Sequence, residues 1–142
     1  VIFFREAAAV CMSKGTVLCI EPNPEVYGCN FVTRWREAVE LVEAVDHPGF
    51  GLHLDTGCIH MAGDDPAEAV RDCAHVMRHL HVSEPQLTDL TKPVVAHELV
   101  ASALRETCYP FWVSLEMRRP DPTIQGISAS VERVVSAYGP FV

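Results

Sequence analysis

The stretch Gly51-Leu52-His53-Leu54-Asp55-Thr56-Gly57-Cys58-Ile59-His60 is a short apolar run that stops at an aspartate, followed by a turn and a second histidine. A buried strand that ends in a carboxylate places one charge at the rim of a sheet. Three other runs have the same shape. Thr16 to Ile20 closes on Glu21, and the two prolines at Pro22 and Pro24 prevent a central strand from continuing. A run near Leu80 to Val82 carries His79 and His81 on one face, and Phe111 to Leu115 closes on Glu116.

Helical patterns separate these runs. Residues 2–14 read as a helix stopped by Gly15. A second is expected to open at Thr33, with Trp35, Ala38, Val39, Leu41, Val42 and Val45 at the 3.6-residue period. After Asp55 the chain is expected to run as a loop to Asp65-Pro66-Ala67-Glu68, a capping aspartate with proline at the first helical position and a glutamate reaching back. The stripe of that helix reads Ala67, Val70, Ala74 and Met77. A further helix is expected from Pro93 through Glu106, striped by Ala96, Leu99, Val100, Ala103 and Leu104. The last follows Asp121-Pro122, striped by Ile124, Ile127, Val131, Val134, Val135 and Tyr138, and stops at Gly139.

The order is therefore α-βα-βα-βα-βα. Alternation of this kind means parallel strands joined by right-handed helical crossovers, an α/β architecture with helices covering the sheet. In such structures the C-terminal ends of all strands lie on one side, where ligands bind. Glu21, Asp55, His81 and Glu116 should then converge. Three carboxylates that close need a cation to stay ionised. Three carboxylates and an imidazole suit Mn²⁺ or Mg²⁺, with Co²⁺ and Zn²⁺ as alternatives. His53 and His79 share the face of Asp55 and His81 and read as supporting or core-lining residues, or more weakly as substrate contacts. His60 reads as a substrate contact or as a solvated loop residue. His47, His75 and His97 read as surface or packing residues, Trp35 as core, and Trp112 as filling the interior.

The 142 residues suffice for a single domain and are 49% hydrophobic and 21% charged, ordinary for a globular chain. Net charge is −8 with no long basic run, which argues against nucleic acid or an anionic membrane as the main partner. No apolar run approaches the roughly 20 residues that span a bilayer, and Arg5 and Glu6 interrupt the opening Val-Ile-Phe-Phe. Six scattered cysteines without short paired spacing fit a reduced, cytoplasmic protein better than a disulfide framework. The chain starts at Val1 inside a helical pattern, as expected of a piece of something longer.

The series Ile20-Glu21-Pro22-Asn23, Leu54-Asp55-Thr56-Gly57, His79-Leu80-His81-Val82-Ser83 and Ser114-Leu115-Glu116 resembles the sugar-phosphate isomerase/epimerase family of xylose isomerase-like TIM barrels. That family includes the ketose 3-epimerases and the endonuclease IV type of repair enzyme. The resemblance covers the whole chain but implies only the second half of a barrel, strands five to eight with their helices, a (βα)4 half-barrel. It implies one divalent metal, foremost Mn²⁺, on Glu21, Asp55, His81 and Glu116. It also implies Glu21 and Glu116 as the acid/base pair that moves a proton through an enediolate of a small sugar or sugar phosphate. Many relatives have a substrate histidine where this chain has Cys58, and an arginine where it reads Glu84-Pro85-Gln86; Arg118 is the candidate substitute contact.

A half-barrel is expected to associate as a homodimer or to pair with a missing N-terminal half, because four open strands leave two edges bare. Two other functions compete with the isomerase or epimerase reading. An endonuclease IV-like phosphodiesterase is disfavoured by the acidic balance. A non-catalytic metal- or metabolite-binding half-barrel, serving as an assembly domain, is consistent with the missing arginine.

Overall fold

The architecture follows from four short strands whose outward side chains are almost all aliphatic. In the computed structural model, which describes residues 1–141, these are β1 (Leu18–Ile20), β2 (Phe50–Asp55), β3 (Met77–Val82) and β4 (Val113–Leu115). They form one parallel sheet in the order β1-β2-β3-β4, as the alternating pattern implies, and match the half-barrel implied by the family resemblance. Six helices accompany them: α1 (Ile2–Ser13), α2 (Trp35–Val45), α3 (Thr56–Met61), α4 (Pro66–Cys73), α5 (His97–Glu106) and α6 (Thr123–Tyr138).

The pleat sends Leu52, Leu54, Leu80, Val82 and Val113 to one face, where they are buried beneath the helices. Fully burying each such side chain stabilises the fold by about 1.5–3 kcal/mol. Trp35, Ala38, Val42 and Val45 of α2, Val70 and Cys73 of α4, and Val100, Ala103 and Leu104 of α5 complete one continuous hydrophobic cluster. Among the described residues no helix is long and apolar enough to cross a membrane. All six cysteines are free.

The helix starts are set by local hydrogen bonds. Asp65 Oδ1 accepts from the amides of Ala67 at 2.7 Å and Glu68 at 3.3 Å, so α4 begins at Pro66 as its sequence implies. Glu37 Oε2 accepts from the amides of Thr33 at 2.8 Å and Arg34 at 3.3 Å, and this moves the start of α2 from Thr33 to Trp35. The expected helix from Pro93 begins only at His97, since the amides of Val94 and Val95 are taken by the Glu84 carboxylate.

Several other expectations need correction. The segment after Asp55 is not a loop but the helix α3, capped by Asp55 itself, whose Thr-Gly-Cys opening has no helical periodicity to read. Helix α4 stops at Cys73, so Ala74 and Met77 do not extend its stripe; Met77 opens β3, which is longer than the Leu80–Val82 core. Strand β4 is shorter than expected, and Trp112 does not fill an interior but is 76% exposed, with no described residue covering it. Leu99 of α5 and Ile124, Ile127, Val131 and Val135 of α6 are exposed as well; α6 buries only Ser130, Val134 and Tyr138.

Candidate metal centre

The parallel register decides which side chains meet. Asp55 pairs with His81 across β2 and β3, and His81 pairs with Ser114 across β3 and β4. Glu116, two residues beyond Ser114, continues the ladder by donating its amide to the Val82 carbonyl at 3.0 Å. Glu21 follows Ile20, which pairs with Leu52. Four consecutive strands thus deliver Glu21, Asp55, His81 and Glu116 to the same rim on the inner face.

Asp55 is the anchored member, only 1% exposed. Its Oδ1 accepts from the Ser83 hydroxyl at 2.6 Å and from the Cys58 amide at 2.7 Å. Ser83 is itself fixed: its hydroxyl accepts from the Gly57 amide at 2.9 Å, its amide donates to the Thr56 hydroxyl at 2.9 Å, and that hydroxyl donates to the Ser83 carbonyl at 2.7 Å. Gly57 is required by closeness. A Cβ there would lie 2.6 Å from the Glu84 carbonyl oxygen and 2.8 Å from Ser83 Oγ. The first turn of α3 and the end of β3 are in this way locked together, leaving Asp55 Oδ2 buried and without a hydrogen-bond partner.

His81 Nδ1 is the second orphan. It lies 3.0 Å from Glu116 Oε2, 3.7 Å from Glu21 Oε1 and 4.0 Å from Asp55 Oδ2. It nevertheless makes no geometrically satisfactory hydrogen bond. One atom from each of the four residues lies within 4.8 Å of the others. At an effective dielectric constant near 20, two like charges about 4 Å apart repel by about 4 kcal/mol. Burial, followed by the Asp55 charge, raises the pKa of Glu21, with His81 opposing. A buried acceptor, an imidazole nitrogen and two half-exposed carboxylates facing one point are a donor set that fits a divalent cation with a preference for oxygen.

The remaining candidates fall into two groups. His53 and His79 do line the inner face below the rim, with ring centroids 4.9 Å apart, and His53 Nδ1 stands 3.6 Å from Glu21 Oε1. Burial, with His81 and His79 adding to it, pushes the His53 pKa down to about 3, and burial with His81 lowers that of His79. Cys58 is buried beside the site, its Sγ 3.8 Å from Asn23 Oδ1, and burial with the Asp55 charge raises its pKa, so it is a neutral thiol. His60 is exposed in the last turn of α3 and shares no hydrogen bond or ion pair with the four rim residues. Arg118 is exposed, tethered by its amide to the Leu87 carbonyl at 2.8 Å.

Sequence reasoning assigned no role to Ser83, Tyr27 or Glu84. Burial raises the pKa of Tyr27, with the Asp55 charge adding to it and Arg118 opposing. Glu84, 1% exposed, accepts from His97 Nε2 at 2.7 Å, and His97 Nδ1 meets the Tyr138 hydroxyl at 2.8 Å. A loop glutamate has no periodicity to betray its burial. The one available signal was that Glu84 directly follows Ser83 at a strand end.

A family profile described as "Xylose isomerase-like TIM barrel" matches residues 3–136, and the chain belongs to that family. A ketose 3-epimerase of Arthrobacter globiformis is 29% identical over 58 residues, 41% of this chain and 20% of that protein. The fold superposes on a 3-keto-D-glucoside 4-epimerase from E. coli with a TM-score of 0.84 at 18% identity, covering 93% of this chain and 50% of that one. On a D-psicose 3-epimerase structure obtained in the presence of D-fructose the TM-score is 0.82 at 18% identity, with 96% and 54% covered. The chain thus spans a fifth of the curated relative and about half of each of these solved chains.

Proposed function

We propose that this chain carries the metal-binding and proton-transferring half of a sugar isomerase or epimerase, with Glu21, Asp55, His81 and Glu116 holding one Mn²⁺. The observation that carries the reading is the convergence of these four side chains within 4.8 Å of one another, with Asp55 Oδ2 and His81 Nδ1 left unpaired. The epimerase relatives narrow the reaction class. When bound, such a cation polarises a sugar carbonyl and its neighbouring hydroxyl as a Lewis acid.

The protein's own residues do the rest. Glu21 and Glu116 stand on the two outer strands of the sheet, so they flank whatever lies over β2 and β3. One takes the proton from the carbon next to the carbonyl, and the other returns a proton from the opposite side of the enediolate. Asp55, held through Oδ1, orients the centre, and the neutral thiol of Cys58 stays a spectator. The substrate is a small ketose or ketose phosphate. Two copies associate, or a preceding half-barrel closes the structure, over the inner face that β1 and β4 leave open.

Incubating the Mn²⁺-loaded protein with a panel of ketohexoses and ketopentoses in D₂O tests this. Deuterium should enter at the carbon adjacent to the carbonyl with wild type, and Glu116→Gln should lower the rate by about 10²–10⁴-fold, the usual weight of a general acid or base. Absence of exchange with every ketose in a protein that binds Mn²⁺ would leave a non-catalytic metal-binding half-barrel.

A further inference from the structure

We propose a second cation site on the inner face of the sheet, made of imidazoles alone: His53 of β2 with His79 and His81 of β3, taking a borderline divalent cation such as Zn²⁺ or Cu²⁺. It shares only His81 with the carboxylate set and does not depend on the reaction proposed above.

The register places His53 directly opposite His79, while His81 sits on the same face, one step nearer the rim opposite Asp55. One nitrogen from each ring lies within 4.8 Å of the other two. The ring centroids are 4.1 Å apart for His53 and His81, 4.9 Å for His53 and His79, and 5.1 Å for His79 and His81. None of the three rings makes a hydrogen bond with any described residue, and His53 Nε2 is buried without a partner. Leaving such an atom buried and unsatisfied is unfavourable, and a bound cation would relieve that cost. The interior of a (β/α)₈ barrel is normally filled by branched aliphatic side chains, so three histidines on adjacent rungs depart from plain packing. A hollow bounded by Cys19, His53, Arg78, His79 and Phe111 opens onto two of the three rings.

Ligand chemistry separates the two sets. Three carboxylates with one nitrogen favour a hard cation, whereas three imidazoles favour Zn²⁺ and, at the top of the affinity order, Cu²⁺. A neutral imidazole has one nitrogen lone pair to give, so His81 serves one set at a time. A borderline cation on the imidazoles therefore withdraws His81 from the carboxylates and weakens Mn²⁺ binding there.

Copper is the probe. Pulsed electron paramagnetic resonance of the wild-type chain with one equivalent of Cu²⁺ should show nitrogen couplings from three imidazoles; couplings from a single imidazole would overturn the proposal. His79→Leu removes one donor and leaves all four rim residues in place. It should reduce the count to two and weaken Zn²⁺ binding at least tenfold, with Mn²⁺ affinity within twofold of wild type. Unchanged Zn²⁺ affinity in His79→Leu would also overturn it. Failure of the wild type to bind Mn²⁺ would count against the carboxylate centre and leave the copper result to stand alone.

Discussion

With Oδ1 taken by the Ser83 hydroxyl and the Cys58 amide, Asp55 has a single oxygen left for the rim. The bonded oxygen is satisfied inside the protein, and the other, buried without a partner, is the one the proposed cation would engage. Second-layer partners of this kind typically tune affinity by about 10–100-fold. Ser83→Ala should therefore weaken Mn²⁺ binding by about that factor in calorimetry, with little change in secondary structure. Gly57→Ala tests the lock from the other side. Its Cβ would meet the Glu84 backbone at 2.6 Å, where no flexible side chain can move aside. Overpacking of this sort costs about 1–3 kcal/mol, and urea unfolding should show a midpoint lowered accordingly; a wild-type midpoint would mean that α3 shifts freely.

At the scale of elements, Glu84, His97 and Tyr138 tie the loop after β3 to α5 and α6. Burial lowers the His97 pKa, with the adjacent Glu84 and Glu98 opposing and Arg133 assisting. Because the folded value lies below the ordinary histidine value of about 6.5, the unfolded chain takes up the proton first as the pH falls. His97 thus contributes stability that is complete above about pH 6.5 and lost as the pH falls towards its folded value. Denaturation at a series of pH values should show a shallower acid slope in His97→Gln than in wild type over that window. The four strands and the rim residues were legible because each strand is an apolar run closed by a polar residue, and parallel topology alone brings such ends together. The helix α3, the burial of Glu84 and the exposed stripe of α6 were not legible. The short helix α3 rests on a local Asp55 cap with no apolar period to read, the burial of Glu84 depends on the distant His97 ring, and Ile124 and Val131 are exposed because no described residue covers them. Spacing after Asp55 does not reveal that His60 sits exposed in the last turn of a helix.

The whole molecule is an open four-stranded sheet with β1 and β4 at its edges. Trp112, Phe3 of α1 and Ile124 of α6 are each more than 70% exposed. Bare strand edges next to large exposed apolar side chains favour association. Sedimentation of the chain should yield a species of at least twice its 15.7 kDa, and Trp112→Ser should shift it towards the monomer; a stable, well-folded monomer would contradict association through this face. In the proposed reaction, closure of the inner face would exclude water around Glu21 and Glu116, but it is not needed for the four rim residues to meet. Whether they form a metal centre is decided by a Mn²⁺ titration followed through the loss of the free-ion paramagnetic resonance signal. One tightly bound Mn²⁺ per chain is expected in wild type and none in Asp55→Asn at the same concentrations. Wild-type protein that binds no Mn²⁺ while folded, or an Asp55→Asn variant that binds it equally well, would contradict it.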